Sequence, residues 1–290
     1  MTTSINADLH CHSVVSDGTL TPEALAARAK HNGVDLWALT DHDEIGGQAG
    51  AAAAAADLGL DYVTGVEISV SFLGQTVHIV GLGFDADNQP LWQGLQRTRG
   101  GRAQRAHEMS DDLARVGIHG AFDGALKYAG NHDLISRTHF ARFMVETGVC
   151  KDTYEVFRKY LTEGKPGYVE HRWATLKDAV TWITQAGGIA VVAHPARYKF
   201  SANEEFALFS EFKGHGGQGV EVVTGSHSAA ESVVYTGTAL EFGLLASRGS
   251  DFHSPDESRT DLGALPDLPS QLTPVWTLLE DRIQRAANHS

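Results

Sequence analysis

Along the first ninety residues the chain alternates short apolar runs with helix-like segments, and a chemically active polar residue closes nearly every apolar run. Residues 7–12 read as a strand. Thr21-Pro22-Glu23 is a helix start, with Thr21 as N-cap and proline at the first helical position, and Gly33 after Asn32 is the matching stop. The next apolar run, 36–40, ends in Thr40-Asp41-His42-Asp43. An alanine-rich helix over 50–58 leads to a strand at 62–66 with Glu67 at its end, and a further strand at 76–82 carries His78. The same rhythm returns later. A helix over 176–186 and a Gly187-Gly188 break precede an apolar strand at 189–193 that ends in His194-Pro195. Strand 219–223 ends near Ser226-His227-Ser228, and strand 244–247 is followed by Gly249-Ser250-Asp251-Phe252-His253. Seven strands, near 7–10, 36–40, 62–66, 76–82, 189–193, 219–223 and 244–247, alternate with helices. Such a rhythm favours an α/β fold with a parallel sheet and its chemistry at the carboxyl ends of the strands. An amphipathic segment at 275–286 is expected to pack on the outside.

Between these stretches the pattern changes. Ala106, Met109, Leu113 and Val116 follow helical spacing, and Phe140, Phe143, Met144, Tyr154, Phe157, Tyr160 and Leu161 predict two more short helices. The chain therefore divides into 5–87, a helical insertion at 88–168, and 169–290. Arg97, Arg99, Arg102, Arg105, Arg137 and Arg142 make the insertion basic, either as solvated helix faces or as a surface turned toward phosphate.

Composition narrows the classes. At 290 residues the chain can bury a full core, and 42% hydrophobic with 20% charged residues is ordinary for a globular protein. The formal net charge of −13 argues against affinity for long nucleic acid, which rests on neutralising many phosphates, but is compatible with a small phosphorylated substrate. No apolar run approaches the roughly 20 residues of a membrane span. Met1-Thr2-Thr3-Ser4 lacks the basic and apolar parts of a signal peptide, and two cysteines are too few for a disulfide framework. The expectation is a cytoplasmic protein.

The candidate chemistry follows from placement. On a strand, His10 and His12 project from one face about 6–7 Å apart, within reach of one ion, with Asp17 on the loop that follows. His10, His12, His42, His78, His194 and His253, with Asp17, Glu67 and Asp251, all fall in strands or at their carboxyl ends, where a barrel would bring them to one face. Fifteen histidines make any single pair unremarkable; the shared register is what carries information. Imidazole and carboxylate donors without a thiolate cluster suit manganese, zinc or iron. The donor count points to two or three ions with a carboxylate such as Glu67 bridging. Clustered ions suit phosphate ester hydrolysis, one acidifying water to hydroxide and the others clamping phosphoryl and leaving oxygens.

These residues resemble the PHP (polymerase and histidinol phosphatase) family of phosphoesterases, which is related to the amidohydrolases. The resemblance rests on His10-x-His12 with Asp17, Thr40-Asp41-His42-Asp43, Gly65-Val66-Glu67, His78, Ala193-His194-Pro195 and Gly249-Ser250-Asp251-Phe252-His253, in family order over about two-thirds of the chain. It implies a distorted (β/α)7 barrel with the insertion as a cap. By resemblance His10, His12, Glu67 and Asp251 would hold one metal, Glu67, His78 and His194 a second, and Asp17, His42 and His253 a third. Some members carry histidine where this chain has Asp17. Ser136-Arg137-Thr138-His139-Phe140-Ala141, residues 160–169 and Ala193-His194-Pro195-Ala196-Arg197 are similar to a subgroup that removes the 3′-phosphate of nucleoside 3′,5′-bisphosphates such as pAp, or trims short RNA from its 5′ end.

The implied picture has Arg137, His139, Lys165 and Arg197 gripping the 5′-phosphate and base, arginine forks suiting a non-reacting phosphate. Arg99 and Arg102 join them, although Gly100-Gly101 blurs their helix phase. His227, on a strand-end loop, and Arg197 are the candidates for acting at the reacting phosphate; a hydrogen-bonded loop histidine is the plainer reading of His227. The expected function is a metal-dependent 3′,5′-nucleoside bisphosphate phosphatase, with 5′→3′ exonuclease activity on short 5′-phosphorylated oligonucleotides as a second capacity of the same pocket. A histidinol-phosphate phosphatase is the alternative, and a small monophosphate would need no basic insert. Carbamylated-lysine amidohydrolases are disfavoured because none of the seven strands carries a lysine. A metal-stabilised, non-enzymatic module is the alternative of a different class.

Overall fold

The computed structural model describes residues 5–286, so the expectation drawn from Met1 to Ser4 lies outside the described residues. In chain order the first elements are β1 (Ala7–Asp8), α1 (Pro22–His31), β2 (Leu36–Trp37), α2 (Gln48–Leu58), β3 (Asp61–Tyr62), β4 (Gly65–Phe72) and β5 (Gln75–Leu82). Thr21 caps α1 as predicted, its side chain accepting the Ala24 N–H, with Pro22 at the first position. The helices α3 (Gln89–Arg99), α4 (Arg102–Arg115), α5 (Ala121–Leu126), α6 (Arg137–Glu146) and α7 (Thr153–Val156, continued by a π-turn Phe157–Leu161) follow. Then come α8 (Leu176–Gln185), β6 (Ile189–Val192), α9 (Ala202–Gly214), β7 (Gly219–Thr224), α10 (Ala229–Phe242) and β8 (Leu245–Gly249).

The strands form an α/β fold with two sheets, β1-β2-β3, all parallel, and β4-β5-β6-β7-β8. Three expectations need correction. The strand expected at 62–66 is divided between β3 and β4, which belong to different sheets, so eight strands and not seven are present among the described residues. The sheet is not wholly parallel, because β4 and β5 are an antiparallel hairpin and β5 also runs against β6. Its turn is Leu73-Gly74, both at positive φ (47° and 77°), the two-residue type whose twist matches a hairpin. Leu73 disguises that turn in the sequence, since a leucine rarely accepts positive φ. The segment 275–286 is not a helix but two 3₁₀ turns, Val275–Leu278 and Glu280–Arg282.

The sheets do not make one closed ladder, but backbone hydrogen bonds join them at two places, one beyond β1 and β8 and the other between the segment after β2 and β4. Leu9 N–H donates to the Arg248 carbonyl (3.1 Å), Asp251 N–H to His10 (2.8 Å) and His12 N–H to Phe252 (2.8 Å). Across the other seam Asp43 N–H donates to the Glu67 carbonyl (2.9 Å). Gly249 is required at the first seam: a Cβ there would lie 2.3 Å from the His10 Cβ. Apolar clusters fill both faces of the sheets, one of them around Phe209, Phe212, Ile183 and Ile68. At about 25 cal/mol per Å² of buried apolar surface, these clusters hold the strand ends in register.

The chain leaves the sheet at Leu82 and returns at Ile189, which pairs with Leu82. Helices α3 and α8 form the stem of this excursion, with the Trp182 ring lying so close to α3 that a Cβ on Gly94 would meet it at 2.4 Å. Helices α4 to α7 build a separate apolar cluster around Met109, Leu113, Phe140, Met144 and Leu161.

Candidate metal centre

Strand ends supply the donors. His10 and His12 follow β1, His42 follows β2, Glu67 and His78 sit in β4 and β5, His194 follows β6, and Asp251 and His253 follow β8. Three of the four non-glycine residues at positive φ among the described residues, Asp43 (50°), His194 (26°) and Asp251 (55°), lie here, where the chain turns off a strand end. Such conformations cost about 1–3 kcal/mol each and persist where surrounding structure over-determines them.

Glu67 is the hub. Its Oε1 is 2.9 Å from His78 Nδ1, 2.9 Å from His194 Nε2 and 3.4 Å from His10 Nε2, and its Oε2 is 2.9 Å from His42 Nδ1 and 3.3 Å from His12 Nε2. Asp251 Oδ1 is 3.2 Å from His12 Nε2 and 3.5 Å from His10 Nε2. Asp17 Oδ1 is 3.4 Å from His253 Nε2 and 3.8 Å from His42 Nε2. Donor atoms gather in four overlapping groups: His12, Asp17, His42 and His253; His10, Glu67 and His194; His10, His12 and Asp251; His42, Glu67 and His78. All nine residues singled out in the sequence are thus in one place.

The donors fit divalent ions on a structural criterion. Asp17 Oδ1, His12 Nδ1, His42 Nδ1 and Glu67 Oε2 are buried with no hydrogen-bond partner, although His42 and Glu67 approach to 2.9 Å. Buried polar atoms are rarely left this way, and converging lone pairs without protons between them are what a cation satisfies. Although burial opposes it, Glu67 and Asp17 raise His42 to about 9, and Glu221 and Glu67 raise His10 well above its usual range, so these two carry protons that a cation would displace, whereas two other imidazoles are held neutral. Burial, with His253 and His42 nearby, pushes His12 down to about 3, and burial with Arg197 nearby pushes His194 down to about 4, so both imidazoles are neutral. Burial opposes charge on Glu67, but His78, His42 and His10 outweigh it and hold the carboxyl well below its usual range.

Sequence reasoning missed the supports. Glu221, fully buried in β7, accepts from His10 Nδ1–H (2.7 Å) and from the His194 backbone N–H (2.7 Å). Tyr198 donates to the Ala193 carbonyl (2.9 Å) and accepts the His78 N–H (2.8 Å). Asp43 accepts from Ser69 N–H (2.8 Å) and Ser69 Oγ–H (2.9 Å) and pairs with Arg102. A lone glutamate inside Gly219-Val-Glu-Val-Val was the one visible signal.

A cavity opens above the donors. Arg102, Arg105 and Arg137 line it, with Trp173, Phe157 and Arg197. Arg102 and Arg105 stack on Trp173 (4.6 and 5.4 Å to the ring centre), and Arg105 Nε–H donates to the Val169 carbonyl (3.0 Å). Burial, with Arg137 and Arg102 close by, lowers Arg105 to about 9, a crowding of cations that an anion would relieve. Arg197 reaches Asp251 Oδ2 at 2.7 Å.

Arg99, His139, Lys165 and His227 do not line the cavity. Arg99 pairs with Glu44 and donates to the Asp43 carbonyl (3.0 Å). His139 is buried at the third position of α6, where its Nδ1 accepts the Ser136 N–H (3.1 Å). Lys165 is exposed on a turn. His227 Nδ1–H donates to the Val222 carbonyl (3.1 Å) and its Nε2 accepts the Ala196 N–H (3.3 Å), which engages both nitrogens with backbone.

A PHP domain model matches residues 8–161. A 3′,5′-nucleoside bisphosphate phosphatase of Chromobacterium violaceum is 51% identical over 98% of this chain and 99% of its own length. A 5′-3′ exoribonuclease of Haemophilus influenzae is 40% identical over 93% of this chain and 97% of its own. Among solved structures, an amidohydrolase from Chromobacterium violaceum with bound sulfate and no metal superposes with a TM-score of 0.95 at 51% identity, covering 98% of this chain and 99% of that one. With a domain model over more than half of its residues and relatives matched nearly end to end, the chain belongs to the PHP family.

Proposed function

We propose that this protein is a metal-dependent phosphatase that removes the 3′-phosphate of nucleoside 3′,5′-bisphosphates, converting pAp to AMP and phosphate. The observation that carries the reading is one cavity with two anion-handling ends: the carboxylate and imidazole cluster on its floor, and Arg102, Arg105 and Arg137 on its wall. The Chromobacterium relative acts on substrates with two such phosphates by its name, which supports the same reading here.

His10, His12, Glu67 and Asp251 would hold one ion, Glu67, His78 and His194 a second, and Asp17, His42 and His253 a third, with manganese the leading candidate. When bound, such ions supply Lewis acidity, acidifying water and neutralising phosphoryl charge. The chain's own residues do the rest. Arg102, Arg105 and Arg137 bind the non-reacting 5′-phosphate, each charge-assisted hydrogen bond contributing about 1.5–3 kcal/mol. Arg102 is pre-aimed by Asp43 and Trp173, so little rotamer freedom is lost on binding. Arg197, beside Asp251, meets the reacting phosphate. His227 holds the turn that carries Arg197 through the Ala196 N–H. We read the two sheets as a distorted barrel, 88–168 as its cap, and the two free, buried cysteines as fitting the cytoplasm. No helix among the described residues is long and apolar enough to cross a membrane.

The same pocket suits a short 5′-phosphorylated oligonucleotide, since cleavage again falls at the 3′ oxygen of a 5′-phosphorylated nucleotide. The exoribonuclease relatives favour this second substrate. Phosphate release by manganese-loaded protein from pAp, 5′-AMP, 3′-AMP and histidinol phosphate in parallel tests the reading. Preference for pAp upholds it; preference for histidinol phosphate, or indifference among the four, overturns it.

A further inference from the structure

Glu221 lies in the middle of β7, flanked by buried Val220 and Val222, with no exposure of its own. A bare carboxylate at such a position is costly unless its oxygens are engaged. Each oxygen has a different client. Oε1 takes the proton of His10 Nδ1, and Oε2 takes the backbone N–H of His194, both at 2.7 Å. Because a carboxylate only accepts, the first contact forces His10 into the tautomer whose Nε2 bears the free lone pair. That atom faces Glu67, Asp251 and His12. The second contact pins a residue whose backbone sits at φ 26° and ψ 57°, outside the usual regions, and so sets where the His194 ring meets Glu67.

We infer that Glu221 is a positioning residue that keeps His10 and His194 simultaneously in ligating geometry, one by its ring tautomer and the other by its main chain. The inference rests on the metal reading above and deepens it. One side chain couples donors that follow different strands, β1 and β6, and that belong to different ions in the proposed assignment. Glutamine, nearly the same shape, cannot replace it. Both clients are donors, and an amide offers one oxygen and one N–H₂, so either His10 must change tautomer or the His194 N–H must go unpaired. Supports of this kind typically govern affinity or activity by 10–100-fold.

The test compares wild-type protein and Glu221→Gln, both stripped of metal. Manganese affinity is measured by calorimetry, pAp kinetics on the loaded proteins, and thermal unfolding on the stripped ones. The expected result is a 10–100-fold weaker manganese affinity and a fall in kcat of similar size, with KM for pAp within about twofold because the arginine wall is untouched. Unchanged affinity and kcat with only a lowered unfolding temperature would reduce Glu221 to a scaffold role and overturn the inference. If the variant does not fold, the imidazole nitrogen spectrum of the wild-type stripped protein decides. A slowly exchanging proton on His10 Nδ1 supports the assignment, and a His10 ring protonated on Nε2 alone overturns it. Failure of the wild-type protein itself to bind manganese would instead sink the metal reading, so the two failures are distinguishable.

Discussion

The floor and the wall of the cavity achieve precision by different means. On the floor, donors are presented by strands and strand ends whose spacing is fixed by paired backbone, and Glu67 meets five imidazoles within 3.4 Å. On the wall, three arginines extend from helices α4 and α6, each held over an aromatic ring by one polar partner: Asp43 with Trp173 for Arg102, the Val169 carbonyl with Trp173 for Arg105, and the Leu161 carbonyl (3.3 Å) with Phe157 for Arg137. A floor built on paired backbone suits chemistry that tolerates little displacement, and a wall of long cationic side chains suits recognition of whatever is attached to the reacting group. The difference makes the two halves separable by mutation.

The strongest way to break the floor is Glu67→Gln, which removes the shared carboxylate. Turnover of pAp and 3′-AMP should fall together by roughly 10³-fold or more, the several kcal/mol expected of lost metal-assisted charge stabilisation. Steady-state kinetics with both substrates checks this, and a loss confined to pAp would contradict the assignment of the floor. Breaking the wall should look different. Arg102→Ala or Arg137→Ala is expected to raise KM for pAp about 10–100-fold, one charge-assisted contact, while leaving 3′-AMP hydrolysis within a few-fold. Equal losses on both substrates would show that floor and wall do not work independently.

Helix α6, which carries Arg137, should also have its own pH sensitivity through a residue outside the cavity lining. Burial lowers His139 to about 4 against its usual value near 6.5. A depressed histidine is bound by fewer protons in the folded than in the unfolded state, so its contribution is intact above pH 6.5 and is lost as pH falls toward 4. Between pH 7.5 and 5.5 the cost is about 1.4 kcal/mol. Thermal unfolding of wild-type and His139→Gln, whose amide still accepts the Ser136 N–H, should diverge in pH slope by that amount; parallel slopes would contradict it. Smallest is the effect of untying floor from wall. Arg142 grips Glu257 through two bonds (2.9 and 2.7 Å), joining α6 to the loop after His253. For a mostly buried pair, Glu257→Gln should cost about 1 kcal/mol and raise amide exchange in α6 ahead of the sheets.

The same contrast explains what could be read from the chain alone. Six of the nine clustered residues, His10, His12, His42, His194, Asp251 and His253, follow a strand, a place that an apolar run announces, while Glu67 and His78 lie within strands and Asp17 on the loop after His12, so the cluster was legible from the sequence. The hairpin was not, because Leu73 stands where an asparagine or glycine would have signalled its turn. On the wall, Arg102 and Arg137 were singled out as phosphate contacts, as was Arg99, while Arg105 was named only among the arginines that make the insertion basic. Which helical arginine faces inward depends on the tilt of α4 against the Trp173 segment, and that is settled by tertiary packing rather than by spacing. Glu221 escaped because its partners are 211 and 27 residues away along the chain.

The Leu82–Ile189 pairing has a consequence for how such proteins diversify. The excursion that builds the wall departs and returns at neighbouring positions on adjacent strands, above a stem in which Trp182 lies flat against Gly94. Lineages can therefore lengthen, shorten or exchange everything above that stem without re-registering a single strand, and the loop-closure cost grows only logarithmically with length. Substrate range is free to drift at the rate of an insertion, while the hydrolytic centre beneath it changes only at the rate of a sheet.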